Sequence, residues 1–243
     1  MLKYSAAILM LFTLTCCSTS QEIIGSGKIV NEKRSVRGFN KVVVSGTANV
    51  YLSQTDEESL TIVADDNIIN YISSEVGGDT LHIDQKMSSN MRLVKTSKPI
   101  NYYITVKDLK EISLLGSGNV ATQGPLNVKD ISITINGAVT GNVEVNAHRV
   151  TTDLSGSAEF TIKGQADSQE INISGTGNYN GAGLICKIAR VDVSGLGKVV
   201  VNAEDNLIVR ISGAGSIFYI GKPKVQETIS GSGRLEQIEK KEK

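Results

Sequence analysis

The 243-residue sequence has no tryptophan, two histidines (His82 and His148), three cysteines and three prolines. So few histidines, with no cysteine cluster, argue against a zinc site or a histidine-centred catalytic machine, and no metal or cofactor is expected. An excess of positive charge is also missing, because 25 Lys and Arg balance 25 Asp and Glu. Without a basic field to gather phosphates, nucleic acid is not an expected partner. The longest N-terminal apolar run, Ala6 to Leu14, is too short to cross a bilayer as a helix. What the chain does have is glycine, 24 in all, and enough length to bury a core.

The short apolar run follows Lys3 and ends in Leu14-Thr15-Cys16-Cys17-Ser18. Its length suits the h-region of an export signal. A leucine three residues before a cysteine resembles the bacterial lipoprotein signal, in which the cysteine becomes the lipidated N-terminus. Cys17 fits with Leu14 at minus three; Cys16 is the competing position, and an ordinary cleaved signal is the alternative. The expected address is the cell envelope, as an outer-membrane lipoprotein of a Gram-negative bacterium held to the membrane by its lipid. The third cysteine, Cys186, has no partner in the folded region for an intrachain disulfide. It sits in Leu184-Ile185-Cys186-Lys187-Ile188 and reads as a small buried hydrophobe.

The body is a repeat. Small-residue motifs recur at Gly116-Ser117-Gly118, Asn136-Gly137-Ala138, Ser155-Gly156, Ser174-Gly175, Ser194-Gly195, Ser212-Gly213 and Ser230-Gly231. The leading glycines from Gly116 to Gly231 stand 21, 19, 19, 20, 18 and 18 residues apart. Apolar and polar residues alternate on both sides of each motif, the period-two signature of strands. The Gly137 repeat looks like an exception: an insertion that regains phase at Asn142-Val143. A weaker turn falls midway through each repeat, for example at Gly164-Gln165 and Asn202-Ala203.

Strands at this period with no helical pattern between them fit an all-β, single-stranded parallel β-helix with rungs of about 18–21 residues. Glycine turns would accept positive φ and let neighbouring rungs approach closely. They are not phosphate cradles, because a strand rather than a helix follows each one. The chain then divides into a signal (1–17), a polar tether with a first strand (18–36), a solenoid domain (37–238) and a charged tail (239–243). Within the solenoid, 37–113 reads as irregular initial coils and 114–236 as regular Gly-x-Gly rungs. Asp65, Asp66 and Asn67 read as a helical cap or turn rather than a calcium loop. Residues 86–98 show no pattern and read as a loop.

Several segments together carry a family resemblance: Arg37-Gly38-Phe39-Asn40-Lys41-Val42-Val43-Val44-Ser45-Gly46, Leu60-Thr61-Ile62-Val63-Ala64-Asp65-Asp66-Asn67, Gly78-Asp79-Thr80-Leu81-His82-Ile83 and the serial Ser-Gly rungs. The sequence resembles the auto-transporter adhesin head GIN domain family over about Arg37 to Ile238. That family is a domain of unknown function. The resemblance implies a pectin-lyase-like β-helix with no established catalytic set.

Two outward polar ladders are the candidate binding residues. One contains Asp153, Asn172, Asp192 and Arg210; the other contains Asn119, Glu159, Asn178 and Lys198. The leading reading is a non-enzymatic adhesin head that binds a glycan or an envelope protein. A polysaccharide lyase or hydrolase is the rival, resting on Asp153 and Asp192 two rungs apart, about 10 Å by strand spacing. An envelope scaffold or sensor partner is a third reading. No catalytic residue is assigned.

Overall fold

The computed structural model describes residues 21–86 and 91–239; the signal and Cys17 lie outside them. The chain is a parallel β-solenoid of about six turns. A short N-terminal part precedes it. Strand β1 (Gln21–Ile24) pairs in parallel with β7 (Met91–Lys95), so part of the stretch read as a loop is a strand. Its five residues are too few to show a period. Strands β2 (Ile29–Arg34), β4 (Ser59–Asp65) and β8 (Asn101–Val106) form an antiparallel run, and β5 (Ile72–Gly77) and β6 (Thr80–Gln85) a hairpin. Between them, β3 (Lys41–Gln54) pairs in parallel with β6 and β8 on one side and with β9 (Glu111–Thr122) on the other.

The β3–β9 register is unbroken from Lys41↔Glu111 to Leu52↔Thr122, with Gly46 opposite Gly116. The regular stack therefore begins at β3, inside the segment read as irregular. Strands β4 to β8 are the true departure, and β4, β5, β6 and β8 form with β2 a cover of antiparallel pairs joined to the stack through the parallel β3–β6 and β3–β8 pairs. The short β10 (Leu126–Asn127) and the long strands β11 (Asp130–Leu154), β12 (Glu159–Ile173), β13 (Asn178–Val193) and β14 (Lys198–Ile211) continue the solenoid. It finishes with β15 (Ser216–Ile220), β16 (Lys224–Ile229) and β17 (Arg234–Gln237). The midway turns of the central rungs are bends inside continuous strands. Backbone pairing carries on around them, as in Asn127↔Asn146 and Asn146↔Gln165.

Alternation has the cause expected of it. Ile135, Leu154, Ile173, Val193 and Ile211 stack inward and are at most 2 % exposed. A second inward column holds Phe160 and Tyr179, stacked at 6.1 Å between ring centroids. The Gly137 rung carries no insertion at its corner: Val139, Thr140 and Gly141 pair directly with Gly118, Asn119 and Val120. Gly141 breaks the apolar pattern for a steric reason. A Cβ there would lie 2.0 Å from Cδ2 of Phe160, so the missing side chain makes room for the ring in the next rung.

The rung corners keep glycine for two reasons. At Gly116 and Gly137 the backbone has positive φ, +150° and +148°. From Gly156 onward φ is ordinary, and close approach alone excludes a side chain. A Cβ on Gly195 would stand 2.0 Å from the carbonyl oxygen of Gly175 in the rung before.

Asp65, Asp66 and Asn67 do not cap the 3-10 turn Ile69–Tyr71, whose N-cap residue is Ile68 without a side-chain bond. They fasten the β1–β2 loop instead. Asp66 accepts from the Ser26 hydroxyl at 2.6 Å and pairs with Lys28 at 3.2 Å, and Asn67 donates to the Ile24 carbonyl at 2.8 Å. Asp65 is fully buried and accepts from the amides of Gly27 (2.8 Å) and Ser97 (3.0 Å). Burial alone would raise its pKa, but the bonds from Ser97 and Gly27 outweigh it and hold the carboxyl below the usual range. The three residues turn inward to their own loop because its amides and hydroxyl need acceptors there.

Candidate functional site

From Ser155 to Ser212 each rung turns at its serine. The residue two before the serine points outward, the next points into the core, and the serine points outward past the bend. Parallel pairing repeats this geometry in register: Asp153↔Asn172, Asn172↔Asp192, Asp192↔Arg210 and Arg210↔Thr228. Two outward columns, one on each side of the bend, therefore enclose a groove along the solenoid axis. Its volume is about 470 Å³. Asp153, Asn172, Asp192, Arg210 and Thr228 form one wall, and the serines from Ser155 to Ser230 form the other. With five rungs at about 4.8 Å, the groove is roughly 19 Å long.

Its polar groups are partly engaged. The Asn172 amide donates to Asp153 Oδ1 at 2.8 Å, and Arg210 Nη1 lies 3.8 Å from Asp192 Oδ1. The Arg210 side chain is 63 % exposed, so this pair is loose and its donors stay available. Asn172 stands between the two aspartates in the column, and its amide bonds Asp153.

The second ladder lies on the far side of the Ser-Gly corner, outside the groove. Glu159, Asn178 and Lys198 are in register and exposed. Thr140 joins the column between Asn119 and Glu159. Lys198 reaches the Phe218 ring, 5.2 Å from its centroid. Asn119 is turned toward the N-terminal end, where its amide donates to Asn49 Oδ1 at 2.8 Å. The structure thus gathers one ladder into a concavity and leaves the other on an open face.

Sequence reasoning missed two features. The groove's serine wall is visible in the sequence only as a motif that signals a turn. A second depression of about 830 Å³ opens at the midway bends, lined by Asn127, Asn146, Gln165, His148, Asp167 and Lys187. There Asp167 accepts from Lys187 Nζ at 2.8 Å and faces His148 Nδ1 at 3.5 Å. The bond to Lys187 holds the Asp167 carboxyl below its usual range and raises the lysine. The outward sequence signal was weak here because the bends follow no fixed residue pattern.

Cys186 is buried, as its apolar segment suggested, but its surroundings are polar. Gln169 Nε2 donates to its sulfur at 3.1 Å, and the thiol faces the Asn202 carbonyl at 3.4 Å. Gln169 also accepts from the Tyr179 hydroxyl at 3.0 Å. Burial pushes the thiol pKa up to about 11, which disfavours the reactive thiolate. Among the described residues no group of three His, Cys, Asp or Glu is placed to hold a metal ion.

This architecture, a single parallel coil with an axial groove walled by polar side chains over an aliphatic floor, defines the protein as a β-solenoid. The family described as "Putative auto-transporter adhesin, head GIN domain" matches residues 38–223, and the chain belongs to it. Three solved structures share its fold. A protein of Bacteroides fragilis named a "putative adhesin" is 24 % identical, with a TM-score of 0.84, covering 89 % of this chain and 100 % of its own. A "putative lipid binding protein" of Parabacteroides distasonis is 23 % identical, with a TM-score of 0.72, covering 90 % and 100 %. A "putative adhesin" of Parabacteroides merdae is 20 % identical, with a TM-score of 0.62, covering 89 % and 99 %. Among curated proteins no sequence match is found.

Proposed function

We propose that the protein is the non-enzymatic binding head of a cell-envelope lipoprotein and that its axial groove holds an extended glycan. The observation that carries this reading is the groove itself. It runs across five rungs, is about 470 Å³ in volume, and offers a hydroxyl or amide, or a charged group, at every rung. An extended polymer presents hydroxyls at regular intervals, and a stack of rungs presents partners at a regular interval of about 4.8 Å. Asp153, Asn172, Asp192 and Arg210 supply acceptors and donors, and the serines can do both. The membership of an adhesin-named family agrees with a binding role at the cell envelope.

The test is retention of the full chain on immobilised bacterial and host polysaccharides, with new reducing or unsaturated ends recorded in parallel. Saturable retention without new ends is expected. The double variant Asp192→Ala/Arg210→Ala should weaken retention by about tenfold or more, the loss of roughly 1.4 kcal/mol. New ends would replace this reading with the lyase or hydrolase. Retention unchanged in the double variant would remove the groove from it.

Anchoring belongs to the same proposal. Cys17 is the lipidated residue and joins the head to the outer membrane. Expressed in a Gram-negative host with radiolabelled palmitate, the wild type should take up label and Cys17→Ser should not. Label retained by Cys17→Ser would move the anchor to Cys16.

A further inference from the structure

The outward face at the start of the solenoid differs from every other strand face described above. Asn101, Asn49 and Asn119 occupy one column across β8, β3 and β9, and their amides are chained: Asn119 donates to Asn49 at 2.8 Å, and Asn49 to Asn101 at 2.9 Å. Two residues further along each strand, on the same face, the neighbouring column reads Tyr103, Tyr51 and Ala121. The tyrosine rings are stacked, 5.0 Å between centroids and 16° apart. Tyr103 is 38 % exposed.

Four features make this more than a solvated face. Charged residues make up 21 % of the chain, yet none occupies these six positions. Aromatic rings have been kept partly in water where a polar side chain would serve solubility better. The column is also interrupted. One face of Tyr51 is covered by Tyr103, and the position on its other side holds Ala121, whose single methyl is too small to cover the ring. The amide chain uses only one donor and one acceptor of Asn49, which has two of each to give.

We infer that this face is a second saccharide site, separate from the axial groove, that takes a neutral pyranose. The C–H face of the sugar lies on Tyr51 in the gap over Ala121, and its hydroxyls bond the Asn49 and Asn119 amides. An aromatic ring matches the apolar face of a sugar, and amides match its hydroxyls in both directions. The patch offers no cation to compensate the desolvation of a carboxylated or sulfated sugar, so the ligand is uncharged. The groove, with Asp153, Asp192 and Arg210, is chemically different and does not bear on this assignment.

Calorimetric titration of the full chain with cellohexaose, maltohexaose and mannohexaose tests it. At least one of the three should bind. Tyr51→Ala should weaken that binding by about tenfold, and Tyr51→Phe should not, because the ring face is retained. Since Tyr51→Ala also dissolves the aromatic stack and can loosen the fold, Ala121→Lys is the decisive variant. It leaves the stack intact and lays a long side chain across the open ring. Loss of binding in Ala121→Lys, with an unchanged melting temperature, supports the site. Binding to none of the hexaoses, or wild-type affinity in Ala121→Lys, overturns it.

Discussion

Ile211→Asp is expected to unfold the C-terminal rungs, whereas Arg210→Ala, one residue away, leaves them folded. Ile211 is 1 % exposed and continues the inward column of Ile135, Leu154, Ile173 and Val193. A carboxylate in that column would have aliphatic neighbours in the rung before and no cation within the core. An unpaired buried charge is either neutralised or expelled, and the loss of the isoleucine's own packing adds to the penalty. The combined cost is about 4 kcal/mol or more, a large share of the stability of an ordinary domain. Arg210 projects into the groove with 63 % of its side chain exposed, and its pair with Asp192 is 3.8 Å long. Its truncation should cost less than about 1 kcal/mol. Urea denaturation of the two variants measures the contrast. Equal midpoints would mean that the inward and outward phases are misassigned.

The second large effect separates two glycines that look alike in sequence. Gly195 and Gly177 both belong to Ser-Gly-x-Gly corners. Alanine at 195 would put its Cβ 2.0 Å from the Gly175 carbonyl oxygen. The obstacle is backbone at the corner, whose carbonyl already accepts from the Leu196 amide of the next rung at 3.1 Å, so it has little freedom to swing aside and the two rungs must separate. Alanine at 177 would meet the Ala158 oxygen at 3.4 Å, an ordinary contact. The chain already uses alanine at the equivalent place in the preceding rung, Ala158 itself. Gly195→Ala should therefore cost about 3 kcal/mol, the upper range for overpacking, while Gly177→Ala should be close to neutral. Thermal unfolding followed by circular dichroism distinguishes them. A neutral Gly195→Ala would mean that the rungs are not held at this spacing.

The two predictions also mark where reading from residues succeeds. Alternation located the inward phase at Ile211 and Val193 because burial acts on each strand residue by residue, and a period of two survives in the sequence. It misplaced the Gly137 rung. There the need for a small residue at Gly141 arises from the Phe160 ring, a neighbour 19 positions away in sequence, and no local pattern announces it. The N-terminal cover escaped for a related reason. Antiparallel pairing of β4 with β2 and β8 is decided by which edges are free in space, and Leu60 to Val63 would alternate equally well in a parallel rung.

The candidate site divides in the same way. Asp153, Asn172, Asp192 and Arg210 could be recognised as an outward column, since their spacing follows the rung. That this column faces a groove while Glu159, Asn178 and Lys198 do not depends on which side of each bend is concave. The amide chain from Asn101 through Asn49 to Asn119 spans 70 residues in its last step and becomes visible only when β3 lies between β8 and β9.

Composition, period and alternation alone determined the solenoid, its inward columns and its small-residue corners. Each is set by a demand repeated at every rung: bury one side chain, expose the next, let the backbone pass close. Tertiary structure decided the rest: the cover strands, the groove and the stacked tyrosines over Ala121. These depend on contacts between residues far apart in the chain, where one residue's size or curvature is answered by a neighbour that no local pattern identifies.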